Sequence, residues 1–183
     1  VRLSHPTESV SKVIVSGRAN MNRAIHEDVV AVEVLPREAW DDPASTAPYV
    51  RVVAVMQHGW RPYVATIEAD GDDDNGVGKE RSNDSESSWG PMRSVLVVPY
   101  EVRVPKIRIR TRQAGAFSDS RLVVVIDGWA ADSAYPSGHV VRVLGEIGRV
   151  EAEVAAVLVE NSIVCPPFTA ALYDTLPLNT PQH

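Results

Sequence analysis

The chain has 183 residues, a formal net charge of −6 at pH 7 and a single cysteine, Cys165. No intrachain disulfide can form, which points to an intracellular setting, and no apolar run approaches the ~20 residues that a membrane span needs. The N-terminus carries no signal-peptide pattern, the length admits one large domain or one small domain with parts of its neighbours, and abundant valine favours strands. The first residue is Val1 rather than Met, so the chain reads as a piece of something longer.

In chain order, Val13–Val15 and Val29–Leu35 predict two short strands joined by the polar stretch GRANMNRAIHED. Pro36 to Pro48, with Asp41, Asp42, Pro43 and Ser45, predicts a linker. A second strand set follows at Val50–Gln57, Tyr63–Glu68, Val95–Arg112, Arg121–Asp127 and Val140–Gly148. The third of these is long, with a bend expected near Pro99 or Pro105. Five strands of this kind predict an all-β, OB-fold or cold-shock-type Greek-key barrel, with a sandwich as the alternative. Ala69 to Gly90 is rich in Gly, Ser and Asp and nearly free of apolar residues, so a disordered insertion is expected there. Glu151–Glu160 fits helix or strand, and after Pro166 and Pro167 the spacing of Phe168, Ala171, Leu172 and Leu176 predicts a short C-terminal helical segment.

The acidity is segregated. Glu68, Asp70, Asp72, Asp73, Asp74, Glu80, Asp84 and Glu86 face only Lys79 and Arg81, a surplus equal to the whole net charge. From Glu151 onward no Lys or Arg occurs, so the rest of the chain is basic. The basic part centres on VRVPKIRIRTRQ (Val102–Gln113), where Lys106, Arg108, Arg110 and Arg112 alternate with Pro105, Ile107, Ile109 and Thr111. Successive side chains of a strand point to opposite faces, so Ile107 and Ile109 are expected inside and four cations outside, roughly 6.6 Å apart. Cations at that spacing suit the phosphates of an extended single strand, and equally a solvated edge strand that resists aggregation. Nearby, HGWRPYVATIE supplies Trp60 and Tyr63 as candidate stacking platforms, with Arg61 between them for a phosphate. Trp60 also suits a barrel plug, and Trp129 and Tyr135 suit structural roles in their own loop.

Little else carries chemistry. His5, His26, His58, His139 and His183 are scattered without metal-ligand spacing. Asp70, Asp72 and Asp74 alternate as in a calcium loop, yet the twelfth residue from Asp70 is Arg81 rather than Glu. Asp127 and Asp132 suit a turn better than a cation, and Ser137-Gly138-His139 lacks the spacing of a nucleophile elbow. Cys165 has no basic neighbour and reads as a buried structural thiol. No complete active site is visible.

Five blocks then follow one another in an order that resembles a known family. They are NRAIHEDVVAVEVLP (Asn22–Pro36), HGWRPYVATI (His58–Ile67), VPKIRIRTRQ (Val104–Gln113), RLVVVIDGWAADSAYPSGHVVRVLGEIG (Arg121–Gly148) and CPPF (Cys165–Phe168). Together they resemble the cold-shock region of RNase II/RNB-type exoribonucleases, especially the catalytic subunit of the RNA exosome. The resemblance implies that residues 1–36 end a first cold-shock domain, with a linker at 37–49. It implies a second cold-shock domain over 50–150, with the acidic insertion at 69–90, and the start of an RNB catalytic domain over 151–183. It further implies single-stranded RNA and the exosome core subunits as partners, no membrane, and a nuclear location with the cytoplasm as a second. The family's 3′→5′ hydrolysis uses Mg²⁺ held by aspartates of the RNB domain. That motif is not found in this chain, so the expectation is RNA binding and guiding without catalytic residues. The runner-up is a protein-docking module. One departure stands out. The family has Gly after the histidine of the NRAxH block, where this chain has Glu27, and a positive φ there would strain it.

Overall fold

The structure is a computed structural model that describes residues 12–68 and 92–166. The expectations placed on Ala69–Gly90, on the Asp70–Asp74 acids and on Phe168–Leu176 lie outside the described residues, apart from the first residues of the CPPF block.

The first unit is small. A single helical turn, α1 (Arg18–Met21), leads through residues 22–28 into β1 (Val29–Val34), which pairs antiparallel with β2 (Val50–Gln57). Val13–Val15 forms no full strand. Ile14 makes one parallel bridge to Tyr49, with Val50 N–H donating to Ile14 O at 2.8 Å. The stretch between Pro36 and Pro48 is packed rather than free. Trp40 donates from Nε1 to Leu35 O, lies against the Tyr49 ring at 5.5 Å, and carries the Arg37 guanidinium over its own ring.

The second unit is a closed barrel of β3 (Tyr63–Ile67), β4 (Arg93–Pro99), β5 (Ile107–Thr111), β6 (Ser120–Gly128) and β7 (Ser137–Glu146), in the order β3-β4-β5-β7-β6 and back to β3. All pairs are antiparallel except β5 with β7, where Arg108 and Ile109 lie beside Ser137 and Gly138. Gly138 has no room for a side chain on either side, since a Cβ there would fall 2.8 Å from Ile107 Cγ2 of β5 and 2.4 Å from Val125 O of β6. Two expectations change here. β2 is outside the barrel, since it pairs only with β1. The expected long strand over Val95–Arg112 is two strands, because Pro99 ends β4 and residues 100–106 turn back into β5. The count of five survives for a different reason. In the turn, Arg103 grips Glu101 with both backbone and side-chain N–H groups, which lowers the Glu101 carboxyl to about 2.

The core follows strand alternation. Tyr63, Ala65, Val97, Ile107, Ile109, Leu122, Val124 and Ile126 point inward, and Phe117 and Val104 from outside the strands join the same cluster. Ile25, from the loop of the first unit, joins this same core at 6 % exposure. The ambiguous stretch after Gly148 is a helix, α2 (Val150–Glu160), with buried Ala152 and Ala156 turned to the barrel. Ala152 comes so near Gly145 that a Cβ there would lie 3.1 Å away. Glu153, in the first turn, accepts N–H bonds from Gly148 and Arg121, which hold its carboxyl below the usual range. Cys165 is exposed, contrary to expectation, because the segment after α2 leaves the barrel surface along with exposed Ile163 and Val164.

The two units meet where loop 22–28 touches residues 58–60. A Cβ on Gly59 would lie 2.4 Å from Glu27 O, whereas one on Gly115 would meet nothing within 4 Å. Overpacking against backbone costs about 1–3 kcal/mol. Gly59→Ala should therefore lower the thermal midpoint, by about 2–4 °C for each kcal/mol lost, while Gly115→Ala leaves it in place. Equal midpoints for the two variants would mean that the junction is loose. Glu27 itself has φ 75°, so the departure from glycine does carry left-handed strain. That conformation costs about 1–2 kcal/mol, and a glycine gives back about 0.5–1 kcal/mol in chain entropy. Glu27→Gly should raise the midpoint by up to about 6 °C, and a fall in calorimetry would show the turn to be relaxed with glutamate.

Candidate nucleic-acid interface

The cationic ribbon folds as its alternation requires. Ile107 and Ile109 are 0 % and 1 % exposed in the core, which turns Arg108 and Arg110 to the outer face of β5. On that face Arg110 lies beside Ser94 of β4, and Arg108 lies between Leu96 of β4 and Ser137 of β7. The four cations differ in their surroundings. Lys106 pairs with Glu68 at the end of β3. Arg108 is half-buried, with its guanidinium 5.9 Å from the centre of the Tyr135 ring. Arg110 and Arg112 are exposed and form no ion pair among the described residues.

The aromatic candidates separate more sharply. Tyr63 is 1 % exposed, a core residue whose ring offers no face to a base, and burial pushes its phenol upward. Arg61 is held within the protein. It donates to Glu160 of α2 at 3.0 Å, lies 3.9 Å from Glu27 and covers the Tyr63 ring. Glu160 also accepts the Val64 N–H at 2.6 Å, so the pair Arg61–Glu160 fastens α2 to the start of β3. Trp60 is half-buried against the core, and His58 stacks on it with ring centres 3.9 Å apart.

Trp60 and His58 belong to a second place on the surface, the cavity between the two units. Its volume is about 280 Å³, and its walls are Asn22, Arg23, Val53, Ala54, Val55, His58, Trp60 and Trp129. Trp129 donates from Nε1 to Ser133 O, which fixes its ring within the β6–β7 loop. The same loop carries Tyr135, the residue under Arg108. In OB folds the face of the second and third strands, with the loop between the last two, is where oligonucleotides bind. Here those parts are β4, β5 and residues 129–136. In sequence His58 counts among scattered histidines and Trp129 takes a structural role in its own loop, and neither is placed at this cavity. The signal for Trp129 was its place in the loop between the last two strands, while nothing in the spacing ties His58 to residues 22–23.

Chemically the arrangement offers cations and ring faces. The described residues hold no group of three His, Cys, Asp or Glu side chains placed to bind a metal ion. His139 and Asp127 form an exposed pair at 2.8 Å with no third donor beside them. No helix among the described residues is long and apolar enough to cross a membrane.

Comparison with known proteins finds two cold-shock models in order along the chain, with the boundary between them falling between β3 and β4. Residues 2–90 match the family model described as Rrp44-like cold shock domain, and residues 94–162 match that of Dis3-like cold-shock domain 2. The exosome complex exonuclease dis3 of Schizosaccharomyces pombe is 38 % identical over 197 residues, covering 90 % of this chain and 19 % of the relative. Human exosome complex exonuclease RRP44 is 33 % identical over 201 residues, covering 93 % of the chain and 19 % of the relative. The chain thus spans about a fifth of the length of the curated relatives it matches. Among solved structures, Mycoplasma genitalium RNase R in complex with ribose-methylated single-stranded RNA superposes with a TM-score of 0.59 at 16 % identity, over 92 % of this chain and 23 % of that one. Yeast Ssd1, a pseudonuclease, gives 0.60 at 19 % identity, over 81 % and 22 %. These two likenesses speak for the fold. With both cold-shock models matched in order and relatives above 30 % identity along nearly the whole chain, the protein belongs to the cold-shock region of the Dis3/Rrp44-type RNB family.

Proposed function

We propose that this region binds single-stranded RNA on the outer face of β4 and β5 and guides it within an exosome-type 3′→5′ exoribonuclease. One observation carries the reading. The alternation in β5 buries both isoleucines and leaves Arg110 exposed on the strand that OB folds use for oligonucleotides, with Arg112 exposed just past its end. The cations make phosphate contacts, which position a strand without reading its sequence. Relatives named as exosome exonucleases, and a fold neighbour solved with single-stranded RNA, support the same ligand. The exosome core subunits are met through the parent protein. The setting is intracellular, with the nucleus as the first compartment.

The Mg²⁺ expected of an RNB nuclease finds no donor set among the described residues, so no hydrolytic step is assigned to them. The second reading, a protein-docking module, is favoured by α2. Its outer side shows Val150, Val154 and Val157, each more than half exposed. The two readings differ in ligand, since a polynucleotide competes for the β5 cations only in the first.

In a salt titration, each phosphate contact to a single strand adds about 0.7 to the slope of log affinity against log salt. Arg110→Gln with Arg112→Gln should weaken RNA binding and flatten the slope by roughly 1.4, with the fold intact. An unaltered slope in the folded double variant would take the ribbon out of the RNA path. Labelled single-stranded RNA incubated with the 183-residue chain and Mg²⁺ should stay full length. Shortening that follows the protein through purification would place a nuclease centre in this chain.

A further inference from the structure

The cavity between the two units has a composition that phosphate guidance does not explain. Its rim holds one cation, Arg23, and no acid. Arg23 makes no ion pair among the described residues, and its only side-chain hydrogen bond there is a long one, 3.5 Å, to its neighbour Asn22. Three of the other lining residues are aromatic, His58, Trp60 and Trp129, and two of these rings are already stacked. His58 covers one face of Trp60 and remains 49 % exposed at its side chain. Its outer face is a ring platform with an indole behind it.

The walls are held in place from both sides. Asn22 Nδ2 donates to Val52 O at 3.2 Å, which ties the loop to β2. Asp28, fully buried at its side chain, accepts Gly59 N–H at 2.8 Å and lies 3.5 Å from His58 Nδ1. Asn22 and Arg23 both have positive φ, 44° and 63°. Asparagine tolerates this conformation at the end of α1, but at Arg23 it is strained by about 1–3 kcal/mol, and such strain persists where surrounding contacts over-determine it and clusters at ligand sites. The result places Arg23 in the lining of the cavity.

Resting on the RNA-binding reading above, we propose that this cavity takes one unpaired nucleobase of the bound strand. The base stacks on His58 and the Trp60–Trp129 side, and Arg23 meets the adjoining phosphate. At about 280 Å³ the space falls just short of pockets for drug-sized ligands, about 300–1,000 Å³, which suits a single planar ring. Loop 129–136 connects it to the cationic strand, with Trp129 at the cavity and Tyr135 under Arg108. A stack on ring faces accepts any base, so the cavity adds affinity without adding sequence preference.

The test compares a short oligouridylate with an abasic ribose-phosphate oligomer of the same length, both titrated against the 183-residue chain. A stacked base is worth about 1–3 kcal/mol, so the oligouridylate should bind about 5- to 150-fold more tightly. His58→Ala should bring it down towards the affinity of the abasic oligomer. Arg23→Asn, which keeps a residue tolerant of positive φ, should flatten the salt slope by about 0.7. Equal affinities for the two oligomers in the parent chain overturn the base site while leaving phosphate guidance standing, and that is also the result if the cavity takes a protein side chain. A base-dependent gain kept by His58→Ala overturns it as well. Failure of both oligomers to bind removes the RNA-binding reading, and the cavity proposal with it.

Discussion

The buried carboxylate of Asp28 holds the two units of this chain together. Its side chain is fully out of water and accepts N–H bonds from Ile25, in its own loop, and from Gly59, across the junction. A carboxylate in such a place is stable only while donors are aimed at it, and each charge-assisted bond is worth about 1.5–3 kcal/mol. The neighbouring features follow from that bond pair. With Ile25 N–H held, the Ile25 side chain reaches the barrel core. With Gly59 held, the chain passes so close to Glu27 O that no side chain fits, and Glu27 is left at positive φ. The strain and the close approach both lie beside this one buried acceptor.

Two groups of cations stand apart in their surroundings. Arg61, Arg103, Lys106 and Arg121 each meet a specific carboxylate, Glu160, Glu101, Glu68 and Glu153, at strand ends, turns and the helix. These pairs serve the fold. Arg23, Arg110 and Arg112 form no ion pair among the described residues, and they lie at the cavity and along or just past β5. A net charge of −6 therefore says little about the face a polyanion would meet. The ribbon that reads as four equivalent cations in sequence has two plainly exposed ones and two engaged with neighbours.

Much of the barrel was legible because strand alternation depends only on local sequence. The inward set Ile107 and Ile109 and the bounds of β2 are read directly from the pattern. The break at residues 100–106 was half legible. Two prolines announce a bend, but whether the chain bends or reverses depends on pairing with β4, which no local signal encodes. Pairing partners explain the other differences too. β2 looks like a barrel strand until β1 takes its edge, and Tyr63 looks like a surface aromatic until alternation along β3 is counted from the barrel axis. The cavity was hidden for the same reason. Asn22, Arg23, His58 and Trp129 come from three separate stretches, and only the Asp28 contact and the barrel closure bring them together.

The stretch from His58 to Val64 shows how the fold prepares that site. On one side Asp28 fixes Gly59. On the other, Glu160 fixes both the Arg61 guanidinium and the Val64 N–H. Trp60 lies between these two anchors, packed on the core and covered by His58. Its Nε1, like the hydroxyl of Tyr63, is buried without a partner among the described residues, so this segment accepts an unmade hydrogen bond in return for a fixed ring position. Ordering a side chain on binding costs about 0.5–1.5 kcal/mol, comparable with the gain from one stacked base. A platform that moved would lose most of that gain. Helix α2 thus acts on the cavity without touching it, because its last carboxylate removes the freedom that stacking would otherwise have to overcome.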